Sequence, residues 1–406
     1  MRYGVVIFDD MYRAKVGGVK KTPGTDGWAS IEGSPAKRIK SVSELDSDVK
    51  WWTNCEFTDF LGLGLHKHPN ILFSGFLRTE MRAIAYDLGC GVDQVSADKS
   101  AVALAVVFSR VMRLAVTLLG FNPDGGGMGA VSLGELLSKR TAGKAKMGQE
   151  INAAMQHAYQ PWTSLTQRLK KDWKSVTLRK PRYIHAGDVL SLPVPGEHRW
   201  KYVDSTRLPE GAMERIDWVV GHEMPVLANV IVRPRRGDYS DLISYGAGAT
   251  VTRSWVCQPE LMFLSQYCEI EIVGVFVCEA GYEHQKELDS FPSLGDFSTA
   301  SFSLGLLMDC FWTGLASPRM TTTAMKMFVP RAAWYRAMDR IILFSDAARL
   351  KNAGFLISGY GNGSVLVCYP PGATEDLIAM ADEVGLDVPT TKFAEVRTEV
   401  RLGADE

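Results

Sequence analysis

Several chemistries are excluded by what this chain does not contain. Its seven cysteines (55, 90, 257, 268, 278, 310 and 368) never form a C-x-x-C pair, and an odd, scattered set fits neither a disulfide framework nor a zinc site. Such cysteine usage implies a reducing cytoplasm. A G-x-S-x-G elbow is missing, which leaves hydrolase chemistry without positive support. Gly143-Lys144 lacks both the upstream glycine spacing and the following Ser or Thr of a phosphate-binding P-loop. His66-Lys67-His68 has no further His or Cys at ligand spacing and reads as a surface helix end, so no metal and no cofactor are expected. A charge of one sign is absent too: 45 Lys and Arg stand against 46 Asp and Glu, a net charge of -1, so bulk charge names neither nucleic acid nor a membrane as partner.

Long apolar runs are also scarce. The longest, Ala101 to Phe121, is interrupted by Ser109, Arg110 and Arg113, whereas a bilayer span needs about 20 mostly apolar residues. It reads as the buried helix of a soluble protein, and no membrane partner is expected. The N-terminal run Val5-Val6-Ile7-Phe8 meets Asp9 and Asp10 at once, too short and too acidic for a signal peptide, so a cytoplasmic location is expected.

What the chain does have is 406 residues of which 46% are apolar, enough for a sizeable core or for two domains. Tyr3 to Phe8 and Ile71 to Phe73 have the texture of short buried strands, and Phe57 to Leu65 and Arg78 to Leu88 carry helical spacing. The first stretch, residues 1–95, is therefore expected to be a small α/β unit. Residues 96–182 read as a helical, strongly basic region interrupted by the loop Pro123-Asp124-Gly125-Gly126-Gly127. From Tyr183 the texture changes to short β-branched runs: Trp200 to Val203, Val226 to Val232, Thr250 to Val256, Glu269 to Val277, Phe355 to Ser358 and Val365 to Tyr369. This predicts an antiparallel sheet with a few helices over 183–370, followed by a short C-terminal segment, 371–406. Gly359-Tyr360-Gly361-Asn362-Gly363 resembles a nucleotide-binding glycine loop only superficially, because a strand follows it where a phosphate site needs a helix. Asn362-Gly363 instead predicts the turn of a β-hairpin.

Positive charge is concentrated in one place. From Lys139 to Arg182 the chain carries Lys139, Arg140, Lys144, Lys146, Arg168, Lys170, Lys171, Lys174, Arg179, Lys180 and Arg182 against only Glu150 and Asp172. Tyr159, Trp162, Trp173 and Tyr183 are interleaved with these bases. Cations for phosphate and flat rings for bases are the mixture that a single nucleic-acid strand requires, and these fifteen residues are the candidate nucleic-acid-binding set. The alternative is a solvated face with ordinary aromatic core anchors.

Some of these residues resemble a known family. Pro181-Arg182-Tyr183-Ile184-His185-Ala186-Gly187 is similar to the Tyr-x-x-Gly linker of protein-primed B-family DNA polymerases of phages and linear plasmids. Val203-Asp204-Ser205-Thr206-Arg207-Leu208-Pro209-Glu210-Gly211-Ala212-Met213 resembles their motif A, an Asp at a strand end followed by a turn and a helix ending in Ala-Met. The run from Trp255 through Glu260-Leu261 to Val277 resembles the palm element in which a helix beginning near Glu-Leu feeds a strand. Leu306 to Gly314 stands where motif B should be, and the Asn-Gly hairpin where motif C should be. Phe8-Asp9-Asp10 with Asn70 to Gly75 resembles the first two strands of the exonuclease part.

The resemblance implies an α+β fold: a polymerase-like palm preceded by a reduced exonuclease-like unit and the basic helical region, with 371–406 as a short thumb-like segment. It also implies losses. Two-metal nucleotidyl transfer needs carboxylates from motifs A and C about 4 Å apart on two Mg²⁺ ions. Here the hairpin tip reads Gly361-Asn362-Gly363, so only Asp204 remains; Asp204, Gly361 and Gly363 are vestigial positions. Motif B's Lys is replaced by Leu306, and the second exonuclease acid by Thr79. The implied function is a catalytically inactive polymerase-like phage protein in the host cytoplasm. It would bind single-stranded or template DNA and recruit or assist a phage replication or transcription polymerase, RNA or DNA. Two alternatives remain open: an active divergent polymerase using Asp9, Asp10, Asp309 or Asp346, and a purely structural subunit that binds no DNA.

Overall fold

The computed structural model describes residues 2–9, 24–55, 57–72, 81, 84–85, 88–91, 95–119, 148–158, 162–163, 172–180, 192–196, 199–235, 237, 239–243, 252–283, 319–320 and 326–388. The architecture is mixed α+β, with two units: residues 1–138 with 290–314, and residues 139–289 with 315–406.

In the first unit, β1 (Arg2–Phe8), β2 (Gly27–Ile31), β3 (Lys37–Ile39), β4 (Val49–Thr53) and β5 (Ile71–Leu72) form one sheet in the order β3-β2-β1-β4-β5. β2 runs antiparallel to β1 and β3, while β4 runs parallel to β1 and β5. β1 is buried from Tyr3 to Phe8 because both faces of the sheet are covered. Val6 and Phe8 meet Trp51, Ile71, Phe60 of helix α1 (Phe57–Gly62) and Leu65 of the short 3₁₀ turn Leu65–Lys67. The opposite face carries α2 (Ala97–Leu119), whose Phe108 stacks on Trp52 at 5.2 Å. Ala101, Leu104, Ala105, Phe108, Val111 and Met112 make its buried stripe at helical spacing, which is why the long apolar run is a core helix. Among the described residues no helix is long and apolar enough to cross a membrane.

The second unit contains, in chain order, α3 (Gln149–Ala158), β6 (Trp162–Thr163), β7 (Lys174–Arg179), β8 (Val194–Pro195), β9 (Trp200–Asp204), α4 (Ala212–Val220), β10 (Val226–Pro234) and β11 (Thr252–Cys257). Then come α5 (Gln258–Tyr267), β12 (Cys268–Cys278), β13 (Tyr282–Glu283), β14 (Arg319–Met320), β15 (Lys326–Met327), α6 (Pro330–Asn352), β16 (Leu356–Gly361), β17 (Ser364–Tyr369) and α7 (Thr374–Val384). One four-stranded sheet has the order β11-β10-β12-β9, another the order β6-β16-β17-β7, and β8-β13 and β14-β15 are small pairs. Both large sheets share one core: Val226, Val230, Val256, Ile272 and Val275 from the first, and Val176, Leu178, Tyr360, Val365 and Val367 from the second. Leu261 and Leu264 of α5, Leu343 and Ala347 of α6 and Leu377 and Ala381 of α7 complete it.

Several expectations meet the structure directly. The helix α5 does feed the long strand β12, and Phe355 to Tyr369 is a hairpin. The basic region is not uniformly helical: Trp162–Thr163 and Lys174–Arg179 are strands. The reason is local. Lys174-Ser175-Val176-Thr177-Leu178-Arg179 alternates, burying Val176 and Leu178 while Ser175 and Arg179 stay exposed, a period-2 pattern that the charges disguise. The motif A-like segment also differs from expectation, because Ala212-Met213 begins a helix rather than ending one.

Candidate functional site

The hairpin tip is built from its turn outward. Asn362 (φ 55°) and Gly363 (φ 68°) both lie in the left-handed region, the type I′ geometry that joins Gly361 to Ser364 in register. Gly361 itself has φ 145°, a conformation in which a side chain is strained. Beneath the turn, Asp339 of α6 is fully buried and its carboxylate accepts both tip amides: Gly363 N–H at 2.8 Å and Asn362 N–H. Arg336, one turn earlier, donates Nε–H to Asn362 Oδ1 at 2.9 Å. From the other side Lys180 N–H donates to Gly363 O at 2.9 Å. The tip therefore presents glycines at 361 and 363, and the acid below it is occupied in holding the backbone.

A second buried pair stands one residue further along α6. Arg340 donates Nε–H to Glu260 Oε1 at 2.7 Å, with side chains 1% and 0% exposed. It ties α6 to the first turn of α5, close to Cys257 and Tyr360, whose hydroxyl donates to Leu242 O at 3.0 Å. Burial pushes Tyr360 well above its ordinary value, so it remains a neutral donor.

Asp204 lies in the other sheet, at the end of its edge strand β9 and opposite Gly274 of β12. Its Oδ1 caps the next turn, accepting Thr206 N–H at 2.9 Å and the Thr206 hydroxyl. The Thr206 hydroxyl, then its amide, hold this exposed carboxyl below its usual value, with Arg207 adding a smaller effect. A depressed folded value means that the turn keeps its anchor above the ordinary carboxylate range and loses it as pH falls through the lowered value. Arg215 fixes the loop against the sheet, donating to Pro209 O at 2.6 Å and Ile272 O at 2.9 Å.

The structure brings part of the basic segment to the hairpin. β6 flanks β16, with Trp162 opposite Tyr360; β7 flanks β17, with Arg179 opposite Ser364 and Thr177 opposite Leu366. Lys174 and Arg179 are exposed and Trp173 is half-buried. Lys180 is different: its Nζ lies 2.9 Å from Asp346 Oδ2, and that largely buried ion pair removes it from the set of free cations. Lys139, Arg140, Lys144, Lys146, Tyr159, Arg168, Lys170, Lys171, Arg182 and Tyr183 lie outside the described residues, as do Thr79 and Leu306.

Of the acids considered for relocated chemistry, Asp9 takes a two-pronged ion pair from Arg38 at 2.9 and 2.5 Å, and Asp346 takes Lys180. Asp10 and Asp309 lie outside the described residues. Among the described residues no group of three His, Cys, Asp or Glu side chains gathers to hold a metal ion. His66 and Lys67 sit in the 3₁₀ turn, and His68 Nδ1 accepts Asn70 N–H at 3.3 Å. The six described cysteines are buried free thiols; burial pushes Cys55 and Cys268 up to about 12 and Cys90 up to about 11. Asp339, Arg336, Arg340 and Arg215 were not singled out by sequence reasoning. The partners of Asp339, Arg336 and Arg340 lie 23 to 80 residues away and Arg215 reaches Ile272 O across 57, so no local pattern marks these contacts.

The chain's solved structural neighbours are family B DNA polymerases. It is similar to Phi29 DNA polymerase complexed with primer-template DNA and incoming nucleotides (TM-score 0.46, 10% identity, 92% of this chain and 82% of that one). The orthorhombic crystal form of Phi29 DNA polymerase gives TM-score 0.49, 9% identity, and 90% and 80% coverage. The family B DNA polymerase of the hyperthermophilic archaeon Pyrobaculum calidifontis gives TM-score 0.30, 11% identity, and 95% and 56% coverage. At these scores nothing about activity passes from those enzymes to this chain. No protein-family model and no curated protein matches it.

Proposed function

We propose that this chain is a polymerase-like protein without a working nucleotidyl-transfer centre, which holds single-stranded or template DNA and assists a replication or transcription polymerase. One observation carries the first half. The hairpin tip has glycine at both positions where the metal-binding carboxylates would stand, and Asp339 beneath it uses both oxygens on backbone amides. An aspartate cannot simply be restored at 361, because φ 145° suits glycine alone. Asp204 is left as a single exposed acid on a different sheet. Two metal ions need more ligands than that.

Nucleic-acid binding is supported by what flanks the hairpin. Arg179 projects from β7 on the strand face of Thr177 and opposite Ser364, and Lys174 is exposed at the start of the same strand. An exposed cation beside hydroxyls, with a second cation further along the strand, suits phosphate oxygens and reads no base sequence. Phosphate binding also needs no catalytic metal, so it can outlast the loss of catalysis.

The test is charge reversal. Lys174→Glu with Arg179→Glu should weaken single-stranded DNA binding at low salt and flatten the plot of log affinity against log salt by about 1.4 units, roughly 0.7 for each phosphate that is no longer neutralised. Fluorescence anisotropy of a labelled oligonucleotide over a salt series measures this. An unchanged slope would place the DNA elsewhere and contradict the assignment of β7.

A further inference from the structure

Strand β9 carries an aromatic feature that the hairpin and the basic segment do not use. Tyr202 is 45% exposed, and strand alternation puts it on the same sheet face as Asp204. Its ring does not stand away from the sheet. It lies across Gly274: a Cβ there would fall 2.4 Å from the Tyr202 hydroxyl and 2.9 Å from Cζ. The absence of a side chain at 274 is what lets the ring lie flat, with one side against the backbone. Phe276 supports it at 5.2 Å between ring centroids, and Trp255 in turn lies 5.1 Å from Phe276. The result is a braced aromatic surface on a sheet edge rather than a mobile side chain.

We infer that Tyr202 is a stacking platform for a nucleobase of single-stranded nucleic acid, with the exposed carboxylate of Asp204 beside it as an acceptor for the base's amino group. This rests on the reading that the chain binds nucleic acid. A flat ring offers its π-face to any base. Two exposed cations, Arg199 and Arg207, flank it in the chain and can meet the phosphates of a strand whose base stacks there, while Lys201 lies 3.8 Å from Glu279.

The test compares a short single-stranded oligonucleotide with its abasic counterpart of equal length, each titrated into the full chain. Tyr202→Ala should lower affinity for the base-bearing strand about tenfold, within the range measured for single stacking residues, and leave the abasic strand unaffected. Tyr202→Phe keeps the ring and should retain the difference between the two strands. Gly274→Ala, which lifts the ring from its seat, should lose it, with circular dichroism confirming that the fold is kept. If Tyr202→Ala binds both strands as the unaltered chain does, the platform is refuted and the DNA-binding reading stands. If the unaltered chain binds neither strand, both are refuted.

Discussion

Replacing Arg340 with alanine should destabilise the second unit by about 3–5 kcal/mol, the largest single-residue effect anticipated in this protein. The pair it forms with Glu260 is sealed from water, with side chains 1% and 0% exposed. Removing the guanidinium leaves a carboxylate in the core with its solvation gone and its partner missing. The double replacement Arg340→Met with Glu260→Leu should recover most or all of that loss, because the pair's attraction does little more than offset the desolvation of both ions. Urea unfolding followed by tryptophan fluorescence, read as a midpoint shift at constant slope, measures both. Single and double variants that lose equal stability would contradict the assignment of the cost to an uncompensated charge.

Asp339→Ala is the second large effect. Two tip amides lose their acceptor, and the one from Gly363 is buried. At about 1–3 kcal/mol for each buried group left unsatisfied, and with water able to reach exposed Asn362, the cost is about 2–3 kcal/mol. Asp339→Asn should not rescue it, since an amide offers one acceptor oxygen and turns a donor toward the second N–H. Hydrogen exchange at the tip distinguishes local from global effects: the amides of Asn362 and Gly363 should lose protection first. Protection unchanged at these two amides would show that Asp339 does not hold the turn.

These two effects show why the sequence was legible in some places and opaque in others. The Asn362-Gly363 turn could be read because a type I′ turn is specified by the two residues that form it. The buried stripe of α2 was equally readable, since helical spacing is a local pattern. Strand β7 is obscured in the sequence because the charges of Lys174 and Arg179 bracket and mask the alternation carried by Val176 and Leu178. Lys180 then proved to be tied to Asp346, a partner far along the chain. Asp339 and Arg340 look like the solvated face of a helix in sequence; only the arrival of the hairpin and of α5 from elsewhere in the chain makes them interior. Tyr202 did leave a signal, because it stands two residues before Asp204 in an alternating strand and so shares its exposed face.

The central claim is that the chain grips DNA without extending it. A labelled primer-template is incubated with the full chain, all four deoxynucleoside triphosphates and Mg²⁺ or Mn²⁺, and retention and extension are read from the same mixture. The account predicts retained DNA with the primer at its starting length. Template-directed extension that disappears in Asp204→Ala would contradict it.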